Sequence, residues 1–266
     1  MIEGFRRDDP PAIPQLAVPI AVPNLCFEAA MKTESPKDQA IGCLTLIAFY
    51  FLLRVGEYTQ PQFVYRRGQK IRATRTKQFT VGNVGFFKDG KIVPRHSPLE
   101  ILLQSDSATL KITNQKNGRM GETIHQEKVK DSPLCPVKAL AHRVHHILSN
   151  GGTTNMLLCT YFDSGDEYTI RAPDIVAAVR KATLILKLQD FAIDPDLVGA
   201  HSLRADGAMA LRLHGYDSTT IMKMGRWTST TFLEYIHTQI AHLSKGVSTK
   251  MSTNVAFTNI AAIEAC

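Results

Sequence analysis

His201 and Arg204 lie three positions apart in the segment AHSLRADGA. Residues at this spacing share one face of a helix, so the pair could hold one anion from two directions. Further along, Tyr235 lies in GRWTSTTFLEYIH, nine residues after Arg226 and eight after Trp227, the only tryptophan of the chain. A tyrosine beside a tryptophan is commonly core packing, but a tyrosine among basic residues can serve as a nucleophile. Both interpretations are open at this point.

Arg54, Glu57 and Lys116 are three further residues that could serve a site. Arg54 follows the apolar run IGCLTLIAFYFLL (41–53), and Glu57 comes three residues later. Arg54 could therefore enter a site where a helix leaves the core, or simply extend to the surface. Lys116 lies in NQKNGRMG (114–121), which carries an Asn-Gly turn signal. A lysine on such a turn could donate a proton in a site, or it could be an ordinary solvated residue.

The sequence offers little support for metal or cofactor chemistry. His142, His145 and His146 could share one face of a helix, but no carboxylate completes a set of metal ligands. No glycine-rich phosphate loop, HExxH pattern or GxSxG pattern occurs. We therefore expect neither a metal ion nor a cofactor.

The composition limits the class of protein. The 266 residues are 44% hydrophobic and 21% charged, which is typical of a globular chain with a core. The net charge of +7 favours a polyanion such as nucleic acid as the partner. Five cysteines without a CxxC pair fit a reducing compartment. We expect an intracellular protein, located in the nucleus if the host is eukaryotic and otherwise in the cytoplasm. The 13-residue apolar run is shorter than the roughly 20 residues that span a bilayer, so we expect no membrane association.

The order of predicted elements indicates an α+β fold, mostly helical with a small antiparallel sheet or hairpin. Residues 1–35 are proline-rich and predict an extended lead-in. A helix is expected over 36–58, because its middle is apolar throughout. The remaining predictions are strands over 78–87, 108–113 and 122–127, the last two forming a hairpin, and helices over 133–150, 172–188, 201–215, 217–225 and 228–243.

Taken in this order, the motifs resemble the catalytic domain of the tyrosine recombinases, also called the phage integrase family. The segments LLRVGEYT, QKNG, LCPVKAL, HSLRADGA and MGRWTSTTFLEYI look most like the recombinases of eukaryotic mobile elements of the Crypton and DIRS kind. The resemblance covers about residues 36–245, which would be the catalytic domain. It leaves 1–35 as a lead-in and 246–266 as a C-terminal tail that could dock on a neighbouring subunit.

The resemblance implies DNA recombination or integration by strand cleavage and rejoining through a covalent 3′-phosphotyrosine, without metal or ATP. Tyr235 would be the nucleophile, and Arg54 and Arg204 would bind the phosphate. His201 would be the histidine of the HxxR motif, and Lys116 the hairpin lysine. The partner would be double-stranded DNA, on which four copies would assemble, and no small-molecule substrate is expected.

This set of residue types suits the chemistry independently of the resemblance. Phosphodiester cleavage needs a nucleophile, a proton donor for the 5′-oxygen and charge stabilisation at the phosphorus oxygens. The planar forks of Arg54 and Arg204 fit two phosphate oxygens better than lysine would. A tyrosine with an ordinary pKa near 10 needs help to lose its proton, which nearby arginines and His201 as a base could give. Lys116 could protonate the leaving oxygen.

Four positions near the motifs carry further expectations. Glu57 would orient Arg54. Many members have a histidine nine residues before the tyrosine; here Arg226 occupies that position and Trp227 the next. Either could donate to the phosphate, and Trp227 is favoured because its indole N–H is a donor with no acceptor, while Arg226 is also expected to bind DNA. Asp206 stands where a small residue is common, and its carboxylate could bind an arginine and weaken the phosphate site.

Two other functions stay open. The family usually has a helical DNA-clamping domain before the catalytic domain, and residues 1–35 are too short and proline-rich to form one. The chain could therefore be a catalytically inactive DNA-binding protein derived from a mobile element. It could also be a nicking-closing enzyme like the type IB topoisomerases.

Overall fold

The computed structural model describes residues 17–66, 69–72, 77–113, 121–130, 132, 134–191 and 193–227. These residues form the predicted α+β fold, with helices predominating over small antiparallel sheets. The helices are α1 (Ala21–Met31), α2 (Pro36–Tyr50), α3 (Val55–Tyr58), α4 (Leu99–Leu102), α5 (Pro136–Ser149), α6 (Ala172–Ile185), α7 (Ser202–Leu213) and α8 (Ser218–Gly225). The strands are β1 (Phe63–Arg66), β2 (Gln69–Arg72), β3 (Val84–Lys88), β4 (Lys91–Val93), β5 (Ser107–Lys111), β6 (Thr123–Glu127), β7 (Thr160–Asp163) and β8 (Asp166–Thr169).

Helix α2 is the centre of the core and packs against α1, α5, α6 and α7. Every residue from Ala40 to Phe49 is buried, which explains why its sequence is apolar all round rather than along one stripe. The Ser35 hydroxyl caps the helix by accepting a hydrogen bond from the Asp38 N–H at 3.2 Å. No helix in the described part of the chain is long and apolar enough to cross a membrane.

The single helix predicted over 36–58 is wrong, because α2 ends at Tyr50 and α3 begins at Val55. Leu52 adopts a left-handed conformation with φ of 49°, which turns the chain out of the helix. The Leu52 carbonyl then accepts hydrogen bonds from two arginine side chains instead of a helical N–H. This break makes Arg54 the residue that precedes α3.

The extended lead-in predicted over residues 1–35 is also wrong where the structure describes it, because Ala21–Met31 form α1. Pro23 lies in the first turn of α1, where a missing N–H costs no helical hydrogen bond. Phe27 and other apolar residues of α1 are buried. The helix lies so close to α2 that a Cβ added at Gly42 would be 2.8 Å from the carbonyl oxygen of Cys26.

The main sheet has the strand order β4-β3-β5-β6, and all its neighbours are antiparallel. The predicted pairing of 108–113 with 122–127 is confirmed by β5 and β6, in which Lys111 lies opposite Thr123. The turn between them, with Lys116, lies outside the described residues. The strand predicted over 78–87 begins only at Val84, after a 3-10 turn.

The described helices of the C-terminal half lie close to their predicted ranges. Pro136 is the first residue of α5, and Gly215 takes a φ of 85° just after α7. The Asp217 side chain caps α8 by accepting from the Thr220 N–H at 2.9 Å. Helix α6 ends three residues before its predicted end, and the hairpin of β7 and β8 was not predicted. The helix predicted over 228–243 lies outside the described residues.

Candidate active site

Arg54 and Glu57 form a local hydrogen-bonded unit at the start of α3. The backbone N–H of Arg54 donates to Glu57 Oε2 at 2.8 Å, and Arg54 Nη1 lies 3.3 Å from Glu57 Oε1. The Arg54 side chain is 19% exposed, whereas that of Glu57 is only 2% exposed. Arg54 therefore reaches the surface while its carboxylate partner is buried below it.

Arg226 is the second and closer partner of Glu57. Its Nη1 donates to Glu57 Oε1 at 2.9 Å and its Nη2 to Oε2 at 3.1 Å, which is the bidentate geometry of a strong pair. Arg226 ends α8 in a left-handed conformation, with φ of 59° and ψ of 38°. Its side chain is 1% exposed.

The charge of Glu57 depends on these two arginines. Burial alone would raise the pKa of Glu57, but the charge and hydrogen bonds of Arg226, with those of Arg54, hold that pKa below its ordinary value. Glu57 is therefore ionised at neutral pH.

Arg204 lies on α7 and is buried near the chain segment that follows α2 and the end of α8. Its Nη1 donates to the carbonyl of Leu52 and its Nη2 to the carbonyl of Gly225. Its guanidinium also stacks over Trp227, with Cζ 4.1 Å from the ring centroid, as in a cation–π contact. The Trp227 ring in turn covers Gly225, where a Cβ would collide with it.

Arg54, Arg204 and Arg226, which we call the arginine cluster, are linked through two backbone carbonyl groups. The Leu52 carbonyl accepts from both Arg204 and Arg226, the latter at 2.9 Å. The Arg226 carbonyl lies 3.5 Å from Arg54 Nη2. Three guanidinium groups and one ionised carboxylate give this cluster a net positive charge, which suits an anionic ligand.

Asp206 does not bind an arginine in the described part of the chain, contrary to the expectation for this position. The residue is buried on α7, and its Oδ2 has no hydrogen-bond partner. Burial raises the pKa of Asp206 well above its ordinary value. Burial thus disfavours the charged form of this carboxyl group, and Asp206 forms no ion pair with the arginine cluster in the described part of the chain.

The other predicted site residues divide between exposed and undescribed positions. His201 is exposed and lies immediately before α7, so the helix start places it one turn before Arg204. Lys116 and Tyr235 lie outside the described residues. The catalytic and DNA-binding roles of all these residues stay predictions.

A cleft of about 370 Å³ lies between β6 and the end of α8. Its lining includes Thr123, His125, Lys223 and Arg226. Strand β6 pairs with β5, and Lys116 lies between these two strands in the sequence. The described part of that hairpin therefore borders the arginine cluster.

Two of the three histidines of α5, His142 and His146, are engaged in packing. His146 Nε2 accepts from the Phe162 N–H at 3.0 Å, and Phe27 makes an edge contact with His142. Burial and the nearby Arg143 lower the pKa of His146 to about 4. No group of three or more metal-binding side chains occurs among the residues that the structure describes.

Sequence reasoning missed the backbone acceptors of the cluster, the carbonyls of Leu52 and Gly225. A carbonyl has no signature in the sequence. The sequence held one indirect signal, the glycine at position 207 within α7. A Cβ at this position would lie 2.5 Å from the carbonyl oxygen of Phe49. The small residue lets α7 approach the end of α2 closely enough for Arg204 to reach Leu52.

Among solved structures, the chain is similar to XerH, a site-specific recombinase whose crystal structure is a post-cleavage complex bound to palindromic difH substrate. The identity is 14% and the TM-score 0.50, over 90% of this chain and 54% of the XerH chain. The chain thus spans about half the length of XerH. No protein-family model and no curated protein matches the chain. The similarity shows the fold alone: the chain has an α+β fold like that of XerH, and the predicted fold class is confirmed.

Proposed function

We propose that the chain is the catalytic domain of a tyrosine recombinase that cleaves and rejoins duplex DNA. The observation that carries this proposal is the arginine cluster. Arg54 and Arg204 are 150 positions apart in the sequence, yet both lie against the end of α8. They do so in a chain with a recombinase fold. Its positive charge suits a phosphodiester, whose negative charge increases during substitution at phosphorus.

In the proposed reaction the Tyr235 oxygen attacks phosphorus and the bond from phosphorus to the 5′-oxygen breaks. The tyrosine proton goes to His201 or to solvent, and Lys116 gives a proton to the leaving 5′-oxygen. The product is a 3′-phosphotyrosine and a free 5′-hydroxyl. A 5′-hydroxyl from another strand reverses the step, so the energy of the original bond is retained. Arg54 and Arg204 stabilise the charge on the phosphate oxygens.

We assign the additional phosphate donor to Trp227 rather than Arg226. Arg226 is buried and uses its Nη atoms on Glu57 and Leu52, whereas Trp227 is only partly buried and stacks under Arg204. A Trp227→Phe variant keeps a smaller aromatic ring at this position and loses the indole N–H donor. We expect it to cleave more slowly with unchanged DNA affinity, and an unchanged cleavage rate would contradict the assignment.

The finer parts of the proposal rest on the resemblance of the motifs. They are membership of the Crypton and DIRS kind, assembly of four copies on two duplexes, and docking of residues 246–266 on a neighbouring copy. Crosslinking of the chain on DNA, followed by size analysis, tests the assembly. A product no larger than one copy per duplex would contradict it.

The decisive experiment is covalent trapping on nicked suicide duplexes with a randomised central segment. Loss of a short 5′-hydroxyl fragment prevents rejoining, so adducts accumulate and can be isolated by denaturing electrophoresis and sequenced. Wild type should form an adduct, Tyr235→Phe should form none, and another tyrosine variant, Tyr216→Phe, should behave as wild type because Tyr216 lies in an exposed loop after α7. If the wild-type protein formed no covalent adduct, the proposed enzymatic activity would be refuted. Plasmid relaxation without exchange between marked sites would favour the topoisomerase-like alternative.

A further inference from the structure

A pocket of about 270 Å³ lies between α2 and α5, next to α4. Its lining includes Gln39 and Cys43 of α2 and three half-buried histidines of α5, namely His142, His145 and His146. The histidines are three and four positions apart, so their rings lie on one side of the helix. The described residues contribute no acidic side chain to the lining. The histidine group noted in the sequence therefore borders a cavity that lacks negative charge.

Arg143 borders the same pocket and is only 2% exposed. Its guanidinium donates to the backbone carbonyls of Leu158 and Thr160, which carry no net charge. No carboxylate in the described part of the chain forms an ion pair with this arginine. Burial of a cation without an opposite charge is unfavourable. An anion in the pocket would therefore be attracted by Arg143.

The thiols and imidazoles around Arg143 do not supply the missing negative charge. Burial raises the pKa of Cys43 and that of Cys159 to about 12, so both thiols are neutral at pH 7. Burial, together with the charges of His145 and Lys138, lowers the pKa of His142. The basic groups of α5 thus oppose one another's positive charge. A bound anion would relieve this repulsion and would bind more tightly as the imidazoles become protonated.

The hydrogen-bonding groups of the pocket suit an oxyanion. His146 Nε2 accepts from the Phe162 N–H at 3.0 Å, so the neutral ring carries its proton on Nδ1, which can donate. His142 and His145 have one N–H donor each when neutral and two when protonated. A metal cation suits the pocket less well, because Arg143 repels it. The described residues also contain no group of three or more side chains that could hold a metal.

We propose that this pocket binds a small oxyanion of the phosphate class, with imidazole N–H groups of α5 as donors and the charge of Arg143 as the attraction. The site is separate from the arginine cluster. Gln39 lies 11 residues before Tyr50, the last residue of α2, which corresponds to about 16 Å along the helix axis. The arginine cluster begins beyond that end of α2. The inference therefore does not depend on the proposed recombinase chemistry.

The test follows the imidazole NMR signals of the full chain during titration with inorganic phosphate at constant ionic strength. The titration is done at about pH 6, where an ordinary histidine is partly protonated. The signals of His142 and His145 should shift with a common saturation curve in the millimolar range. The signal of His96, which is exposed in the loop after β4, should not follow this curve. Absence of a saturable shift, or an equal shift at His96, would overturn the proposal.

A pair of matched variants tests the donors. His145→Leu should weaken phosphate binding by about tenfold, measured at His142, because one charge-assisted hydrogen bond is lost. His96→Leu should leave the affinity unchanged, and equal affinities in the two variants would contradict the proposal. Arg54→Met should also leave it unchanged, since Arg54 belongs to the arginine cluster. Loss of the His142 shift in Arg54→Met would place the phosphate in that cluster and refute a separate site.

Two further titrations identify the ligand. Saturable shifts with zinc chloride but not with phosphate would overturn the choice of an anion. Shifts of the same imidazoles by a short DNA duplex would support the site with a backbone phosphate as its source. Shifts by inorganic phosphate alone would support it with a free anion as the source. The adduct assay reports separately on the proposed function, because neither His142 nor His145 belongs to the proposed catalytic residues.

Discussion

Replacing Arg226 by Met should reveal how strongly the buried ion pair with Glu57 stabilises the fold. Both side chains are almost fully buried, at 1% and 2% exposure, so solvent screens the pair little. Breaking such a pair by removing one partner costs about 3–5 kcal/mol, because the other charge stays buried. Arg54 remains 3.3 Å from Glu57 and compensates in part. We therefore expect a loss near the low end, about 3 kcal/mol.

The pH dependence of this loss identifies its cause. In wild type the pKa of Glu57 is lower than its ordinary 4.5, so its stabilising contribution is complete above pH 4.5 and is lost only as pH falls below that value. Without Arg226 the largest lowering influence is gone, and burial raises the pKa of Glu57. The buried carboxylate then destabilises the variant at neutral pH, and protonation relieves it. The difference between wild type and variant should narrow as the pH falls from 7 towards 4.5.

Urea unfolding at several pH values measures this difference. The matched control is Arg171→Met, which breaks an arginine–aspartate pair whose arginine is 65% exposed and should cost no more than about 1 kcal/mol. The double variant with Glu57→Gln should be less destabilised than the sum of the single variants, by about 2 kcal/mol, since neither charge is left buried. A loss below about 1 kcal/mol, or one that does not change with pH, would refute the reasoning.

Three further predictions concern the surroundings of the cluster. Gly207→Ala should destabilise the fold by about 1–3 kcal/mol through overpacking against the end of α2, while Gly56→Ala, whose Cβ would meet nothing within 4 Å, should be neutral in the same unfolding assay. Asp206→Asn should stabilise the protein at pH 7 but not near pH 4. Because burial raises the pKa of Asp206, this residue destabilises the fold at pH values above its ordinary pKa of 3.8. Equal effects on the free energy of unfolding at both pH values would contradict this. In a plot of log DNA affinity against log salt concentration, Arg226→Met should leave the slope unchanged, whereas Arg54→Met should lower it by about 0.9; the reverse order would mean that Arg226 contacts phosphate.

Local signals were sufficient where an element is defined by its own ends. The helices predicted over 133–150, 201–215 and 217–225 are confirmed by α5, α7 and α8. Pro136, Gly215 and Asp217 lie at their ends, where missing or satisfied hydrogen bonds involve only neighbouring residues. The β5–β6 hairpin was predictable for the same reason, because the turn sequence and the alternation of its strands lie within one segment. The order of these elements was enough to predict the fold class.

The end of α2 could not be predicted, because its cause lies elsewhere in the chain. An apolar run indicates burial on all sides but carries no signal for where the helix stops. The Leu52 carbonyl leaves the helical pattern and is satisfied by Arg204 and Arg226, which come more than 150 positions later. Proline content misled the prediction for α1, since a proline in the first turn is compatible with a helix.

The Leu52 carbonyl explains how the arginine cluster is held in place without one carboxylate for each arginine. A backbone carbonyl offers two lone pairs and no net charge, so it can orient two guanidinium groups while leaving their positive charge in place. A second glutamate at this point would satisfy the same donors but would cancel the charge that attracts a phosphate. Glu57 instead neutralises the most deeply buried arginine, Arg226, and leaves the cluster positive. The division between carbonyl and carboxylate partners is therefore what makes a buried set of arginines suitable for binding an anion.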